Sequence, residues 1–101
     1  MNTVTDLDKT IKLLHRNLPV LQEKYPIAWL ALFGSIVRDD FDPGRSDIDI
    51  LVSFNGQIGF GFIDLAEELE KMVGRKIDLV SVDGLKKSWW KEHVLKQAIY
   101  V

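Results

Sequence analysis

The N-terminal segment carries apolar side chains at steps of three and four, which is the spacing of one face of an α-helix. These positions are Leu7, Ile11, Leu14, Leu18 and Leu21. The pattern predicts an amphipathic first helix that follows a Thr5 cap. Pro19 interrupts the pattern, because proline lacks the N–H group that would bond to the preceding turn. Two interpretations remain open: the helix kinks at Pro19, or it stops near Asn17 and restarts.

Three further segments have the character of β-strands. A continuous apolar run over 27–33 predicts a first, buried strand. The segments 47–54 and 77–82 predict the second and third strands. Because side chains alternate along a strand, Ile77 and Leu79 are expected to face away from Asp78.

A second set of apolar residues at helical spacing lies between the second and third strands. It ends just before Gly74, which is typical of a glycine that closes a helix. This helix is expected to cover the back of the sheet, and a last helix is predicted over 85–98. Strands separated by helices predict an α/β (α+β) fold, with a small mixed central β-sheet flanked by helices.

Composition and charge narrow the classes of function. The 101 residues, 47% hydrophobic and 28% charged, suit a single globular domain over 1–101. The formal net charge of −2 argues against the usual basic nucleic-acid binder, so no direct nucleic-acid binding is expected. The chain has no cysteine, no recognisable signal and no apolar run that would span a membrane. We therefore expect a cytoplasmic protein without disulfide or thiolate chemistry.

The segment 34–52, GSIVRDDFDPGRSDIDILV, begins with a Gly-Ser turn. Gly34 and Ser35 directly follow the first predicted strand. Backbone amides at such a turn can approach phosphate oxygens, because glycine has no Cβ to obstruct them. The pair therefore predicts a phosphate-binding turn, although a plain turn with Ser35 as a helix N-cap is also consistent with it.

The same segment ends with two aspartates on the second predicted strand. Asp47 and Asp49 are two residues apart, so both point to one face of the strand while Ile48 and Ile50 point to the other. Two carboxylates held this close repel each other unless a cation such as Mg²⁺ lies between them. The alternative without a metal is a half-exposed edge strand whose aspartates face solvent.

Together these features resemble the signature of the DNA-polymerase-β-like nucleotidyltransferase superfamily, and specifically of its minimal nucleotidyltransferase (MNT) members. That signature is Gly-Ser, a variable stretch and Asp-hydrophobic-Asp, followed by a third acidic residue on a later strand. Asp78 stands where the family places this third residue. The resemblance extends over nearly the whole chain and implies the nucleotidyltransferase fold. It also implies catalytic and metal-binding roles for three carboxylates, those of Asp47, Asp49 and Asp78.

The resemblance further implies that Gly34 and Ser35 bind the phosphates of ATP, the expected co-substrate, with Mg²⁺ as the metal. Arg38 lies one turn beyond Ser35. Its guanidinium group is a further candidate for phosphate binding, or it stays near the acidic cluster.

MNT proteins are antitoxins of HEPN-domain ribonucleases and add AMP to a tyrosine near the HEPN active site. The resemblance therefore implies an AMP-transferring antitoxin that forms a hetero-oligomer with a HEPN toxin. Two other functions remain open. One is neutralisation by binding alone, with a vestigial site, and the other is nucleotidyl transfer to a small molecule such as an antibiotic, with a second chain providing the acceptor pocket.

The histidines and tryptophans carry weaker signals. Neither His15 nor His93 has a second ligand at metal-binding spacing, and both are expected at the surface. Trp89 and Trp90 cannot both be buried on one face of a helix, so one is expected in the core and the other among surface lysines. There it would contact a base or, as we prefer, a partner protein.

Overall fold

The structure is a computed structural model that describes residues 6–38, 42, 44–85 and 89–101, with the backbone alone at 89 and 90. This part of the chain forms seven regular elements in the order α1 (Asp6–Lys24), β1 (Ile27–Phe33), β2 (Ile48–Phe54), α2 (Gly61–Val73), β3 (Ile77–Ser81), α3 (Trp89–Gln97) and β4 (Ile99–Tyr100). Short 3-10 segments follow β1 and β3, at Gly34–Val37 and Val82–Gly84. We call the segment Gly34–Val37 the glycine turn.

Strands β2 and β1 occupy the middle of a sheet whose order is β3-β2-β1-β4. β1 pairs antiparallel with both β2 and β4, whereas β2 and β3 are parallel. Parallel neighbours need a crossover connection, and α2 provides it. The prediction of a mixed α/β sheet flanked by helices is therefore confirmed.

One face of the sheet packs against α1 and α2 and holds the larger apolar core. Leu21 of α1 and Leu65 of α2 are fully buried there, in the same cluster as Ile50 of β2. Ile77 and Leu79 of β3 belong to this cluster too, so they face away from Asp78 as the alternation predicts. The prediction that α2 covers the back of the sheet is also confirmed.

The opposite face packs against α3. A smaller apolar cluster there contains Ala31 of β1, Leu51 of β2 and Val94 of α3, with Val80 of β3 at its margin. Val94 is 7% exposed, so it anchors α3 on the sheet. This helix therefore lies on the side of the sheet from which Asp49, two residues before Leu51, projects.

Helix α1 runs without interruption through Pro19. The alternative in which the helix stops near Asn17 and restarts is therefore wrong. Leu14 and Leu21, on either side of Pro19, are both fully buried. We infer that their packing outweighs the cost of proline in a helix interior, which is about 3 kcal/mol. The predicted Thr5 cap lies outside the described residues.

Two predicted boundaries are confirmed and two are wrong by one residue, since β2 begins at Ile48 and leaves Asp47 just outside the strand. β1 covers 27–33, and α2 ends at Val73. Gly74 follows with φ 75°, and its N–H donates to the carbonyl oxygen of Glu70 at 2.8 Å. The third strand ends one residue early, because Val82 begins a 3-10 segment.

The last helix predicted over 85–98 is present as α3 over Trp89–Gln97, and a strand that was not predicted follows it. After α3 the chain forms β4, in which Ile99 and Tyr100 pair with Leu32 and Ala31 of β1. The pairing continues beyond β4, since the N–H of Val101 donates to the carbonyl of Leu30 at 3.1 Å. A two-residue strand has no alternation of its own, so β1 determines it and the local sequence does not.

Some predictions fall outside the described residues. These include the placement of the Trp89 and Trp90 side chains and of the lysines at 86 and 87. His15 and His93 are both exposed, as predicted. Within the described segments, no helix is long and apolar enough to cross a lipid bilayer.

Candidate active site

Two of the predicted aspartates lie side by side on neighbouring strands. Asp49 of β2 and Asp78 of β3 are direct partners in the parallel register. Directly paired residues project from the same face of a sheet, which here is the face that α3 covers in part. Asp47 immediately precedes β2 and is half-buried, whereas Asp78 is exposed on the edge strand.

The electrostatics of Asp49 link the three carboxylates. Its pKa is raised from 3.8 to about 6, and burial is the largest cause. The negative charges of Asp78 and Asp47 and a hydrogen bond with Asp78 contribute to this increase, while the positive charge of Arg38 opposes it. Asp78, which lies 29 residues beyond Asp49 in the sequence, is thus close enough to interact with it, as Asp47 is, and Arg38 lies within electrostatic reach of Asp49.

The glycine turn packs directly against Asp49. Phe33, the last residue of β1, pairs with Asp49 across the sheet, and Gly34 follows with φ 75°. A Cβ added at Gly34 would lie 3.0 Å from Cγ of Asp49 and would overlap with its carboxylate oxygen. Both the backbone conformation and the close approach therefore require glycine at this position.

Ser35 lies inside the glycine turn. The residue at the N-cap position is Phe33, and no side chain caps this turn, so the interpretation of Ser35 as a helix N-cap is wrong. The carbonyl of Ser35 instead accepts a hydrogen bond of 3.1 Å from the N–H of Arg38. This bond closes the turn at Arg38, whose positive charge acts on Asp49.

The acidic cluster fits a hard divalent cation by its chemistry. Among the described residues, no group of three His, Asp or Glu side chains is arranged to hold a metal as it stands. The carboxyl groups of Asp49 and Asp78 are nevertheless close enough for the charge of Asp78 to raise the pKa of Asp49. Carboxylate oxygens are the ligands that Mg²⁺ prefers, and a cation among them would remove the repulsion that raises the pKa of Asp49.

Sequence reasoning missed a cleft of about 140 Å³ beside the glycine turn. Its lining combines β1, the turn and α3, and consists of Phe33, Gly34, Arg38, His93, Val94 and Gln97. In the sequence, the only signal from α3 is that His93 and Gln97 are four residues apart, which places them on one side of a helix. Their relation to Gly34 depends on the packing of α3 on the sheet.

Comparison with solved structures supports the same fold. A candidate minimal nucleotidyltransferase has a TM-score of 0.75 and 29% identity, with 97% of this chain and 98% of that chain covered. A toxin–antitoxin complex with AMP-PNP has a TM-score of 0.64 and 26% identity, covering 93% of this chain and 70% of that chain. A complex of tri-AMPylated Shewanella oneidensis HEPN toxin with MNT antitoxin has a TM-score of 0.56 and 25% identity, covering 94% and 67%.

Sequence comparison assigns the family. The protein adenylyltransferase MntA of Thermococcus cleftensis is 34% identical over 96 residues, covering 94% of this chain and 95% of the relative. The model of the nucleotidyltransferase domain family matches residues 15–101, which include the glycine turn and all three aspartates. This chain therefore belongs to the nucleotidyltransferase domain family and is an enzyme of that class.

Proposed function

We propose that this protein is a Mg²⁺-dependent antitoxin that transfers AMP from ATP to a tyrosine hydroxyl of a partner HEPN ribonuclease toxin. Its similarity to MntA and to the antitoxin bound to a tri-AMPylated HEPN toxin supports the reaction and the partner class. Similarity to a toxin–antitoxin complex with AMP-PNP supports an adenine nucleotide as the donor.

One observation carries the proposal: the glycine turn packs against the carboxylate of Asp49, and Asp49 pairs in register with Asp78. A turn without a side chain is thus placed beside a cluster of acidic groups. Phosphoryl and nucleotidyl transfer need both parts, because the phosphates must be held while the charge around the reacting phosphorus is neutralised.

The three aspartates are assigned to the metal. Asp47, Asp49 and Asp78 would hold Mg²⁺, since their carboxylates are mutually repelling without a cation. When bound, Mg²⁺ supplies positive charge to the triphosphate and makes the acceptor hydroxyl more acidic. Asp78 is exposed, so it is also placed to accept the proton that the tyrosine hydroxyl releases.

The glycine turn and Arg38 are assigned to the nucleotide. Gly34 and Ser35 would hold the β- and γ-phosphates, and the guanidinium of Arg38 would neutralise part of their charge. The tyrosine oxygen then attacks the α-phosphorus in line, the bond from this phosphorus to the bridging oxygen breaks, and pyrophosphate leaves. The product is a phosphodiester between tyrosine and AMP.

The position of Asp78 suits a macromolecular acceptor. β3 is an edge strand, and Asp78 on it is exposed, so a tyrosine presented by another protein can approach from this side. AMP adds bulk and a negative charge to that tyrosine. Both oppose the docking of an RNA backbone nearby, so the modification itself would inhibit a ribonuclease.

Transfer of label distinguishes this proposal from neutralisation by binding alone. We expect label from ATP to reach the toxin when the α-phosphate is labelled and not when the γ-phosphate is labelled. Peptide mapping should place it on tyrosine, and EDTA should abolish it. Asp83→Asn, an exposed change in the 3-10 segment after β3, should leave transfer unchanged. Toxin that is neutralised without any label would contradict the proposal.

A further inference from the structure

The cleft beside the glycine turn brings side chains from α3 to the edge of the proposed nucleotide site. Gly34 and Arg38 line one side of it, and His93 and Gln97 line the other. Gly34 also touches the carboxylate of Asp49, so the cleft begins where the acidic cluster ends. A ligand that reaches from the aspartates past Gly34 would therefore enter it.

The position of α3 is well determined by its packing. Val94, which also lines the cleft, is 7% exposed and belongs to the cluster that contains Ala31 and Leu51. His93 and Gln97 are exposed and four residues apart, so they project from neighbouring positions on the same side of the helix. Burial of Val94 thus holds both polar side chains over the glycine turn.

The chemistry of the cleft favours an anion. Its polar side chains are a guanidinium, an imidazole and a carboxamide, all of which can donate hydrogen bonds, and none of the six described residues that line it is acidic. This contrasts with the carboxylates immediately beyond Gly34. The volume of about 140 Å³ is below the 300 Å³ or more that is usual for a complete drug-sized ligand, so the cleft fits part of a nucleotide.

We propose that His93 and Gln97 bind the terminal phosphates of the nucleoside triphosphate, opposite Gly34 and Arg38. This assignment rests on the proposed function. It makes the two α3 residues positioning residues for the part of the substrate that leaves as pyrophosphate.

Binding experiments without any acceptor protein test this inference. In isothermal titration calorimetry with Mg²⁺ present, His93→Ala with Gln97→Ala should weaken ATP and inorganic tripolyphosphate binding about tenfold or more, as expected for lost hydrogen bonds to a charged group. Binding of AMP, which lacks the terminal phosphates, should be unchanged. The matched control, His15→Ala with Gln57→Ala, changes the same residue types at exposed positions away from the cleft and should have no effect.

A second variant adds charge and keeps the size of the side chain. Gln97→Glu places a carboxylate in the cleft, so it should weaken tripolyphosphate binding more than Gln97→Ala does. With the toxin as acceptor, the KM for ATP should rise while kcat stays within about twofold, and the melting temperature should not change.

Three results would overturn the inference. An equal loss of AMP affinity would assign the cleft to the nucleoside, and unchanged affinity for all ligands would remove α3 from the nucleotide site. Failure of the unmodified protein to bind tripolyphosphate would also overturn it. Because these measurements contain no acceptor, their outcome is separate from whether the toxin is the protein that receives AMP.

Discussion

Gly34 is the residue at which the glycine turn contacts the acidic cluster. Its φ of 75° lies in the left-handed region, and the carboxylate of Asp49 occupies the space where a Cβ would be. Because the turn and the carboxylate are in contact, a shift of either would move the other. The position of the glycine turn relative to the aspartates therefore depends on residue 34 having no Cβ.

Gly34→Ala should lower the free energy of unfolding by about 2 to 3 kcal/mol, from the left-handed backbone and from overlap with Asp49. Gly74→Ala is the matched control, since Gly74 has the same φ of 75° and an added Cβ would meet nothing within 4 Å. It should lose only about 1 kcal/mol. Urea unfolding of both variants measures the difference, and equal losses would contradict the contact with Asp49.

The charged Asp49 carboxylate is expected to lower the free energy of unfolding when no metal is bound. Its folded-state pKa of about 6 lies above the ordinary 3.8, so the charged form is disfavoured in the fold. As pH rises through this interval, the unfolded state loses the proton first and stability falls. Asp49→Asn should therefore raise the free energy of unfolding in EDTA at pH 8, by about 1 to 2 kcal/mol, while it abolishes AMP transfer.

Thermal unfolding across pH tests this prediction. The advantage of Asp49→Asn should be greatest above pH 6 and should disappear as pH approaches 3.8. Asp83→Asn, which removes a charge in the 3-10 segment after β3, should show no such dependence. An Asp49→Asn variant that is less stable than the unmodified protein at pH 8 would show that burial and the acidic neighbours do not destabilise the charged Asp49.

At the scale of elements, α1 tolerates a proline in its interior. Pro19 lies on the exposed side of the helix, between the buried Leu14 and Leu21. The sequence left open whether the helix continues through Pro19, because tertiary packing decides this and local propensity does not. The end of α2 was predictable because it depends on a local signal, the glycine at position 74, and not on tertiary packing.

Pro19→Ala should stabilise the protein by about 1 to 3 kcal/mol, because alanine restores the missing N–H and removes the steric clash. Urea unfolding measures this gain. Val20→Ala changes the next residue, which is 52% exposed, and should have little effect. A loss of stability in Pro19→Ala would show that the proline bends α1 to fit the sheet.

Glu68 joins the end of α1 to α2. It accepts a 2.7 Å hydrogen bond from the hydroxyl of Tyr25, and Nζ of Lys24 lies 2.8 Å from its other oxygen. The bond with Glu68 raises the pKa of Tyr25 to about 12. Bonds from Lys24 and Tyr25 lower the pKa of Glu68. Both shifts follow from the hydrogen bond, because it favours the neutral phenol and the charged carboxylate.

Tyr25→Phe should lower the free energy of unfolding by about 1 kcal/mol at neutral pH. The loss should shrink as pH rises from 10 toward 12, because the unfolded state then ionises before the folded state. It should also shrink below pH 4.5, where Glu68 begins to lose its charge. Tyr100→Phe removes the same oxygen from an exposed tyrosine, and an identical pH profile in that variant would contradict the assignment.

At the scale of the whole molecule, the sheet separates the main core from the site. Helices α1 and α2 bury one face, and the aspartates project from the other, beside α3. The glycine turn and the Asp49 strand were predictable because they lie in one continuous motif. The cleft was not, because His93 and Gln97 reach Gly34 only through the packing of Val94 and the pairing of β4 with β1.

The intact mass of the partner HEPN toxin tests the central claim most directly. After incubation with this protein and Mg-ATP, the toxin should gain one or more AMP units. The same incubation with the Asp47→Ala, Asp49→Ala variant should leave its mass unchanged, although the variant still binds the toxin. An unchanged mass with the unmodified protein, despite a stable complex, would contradict the account and show that neutralisation occurs by binding alone.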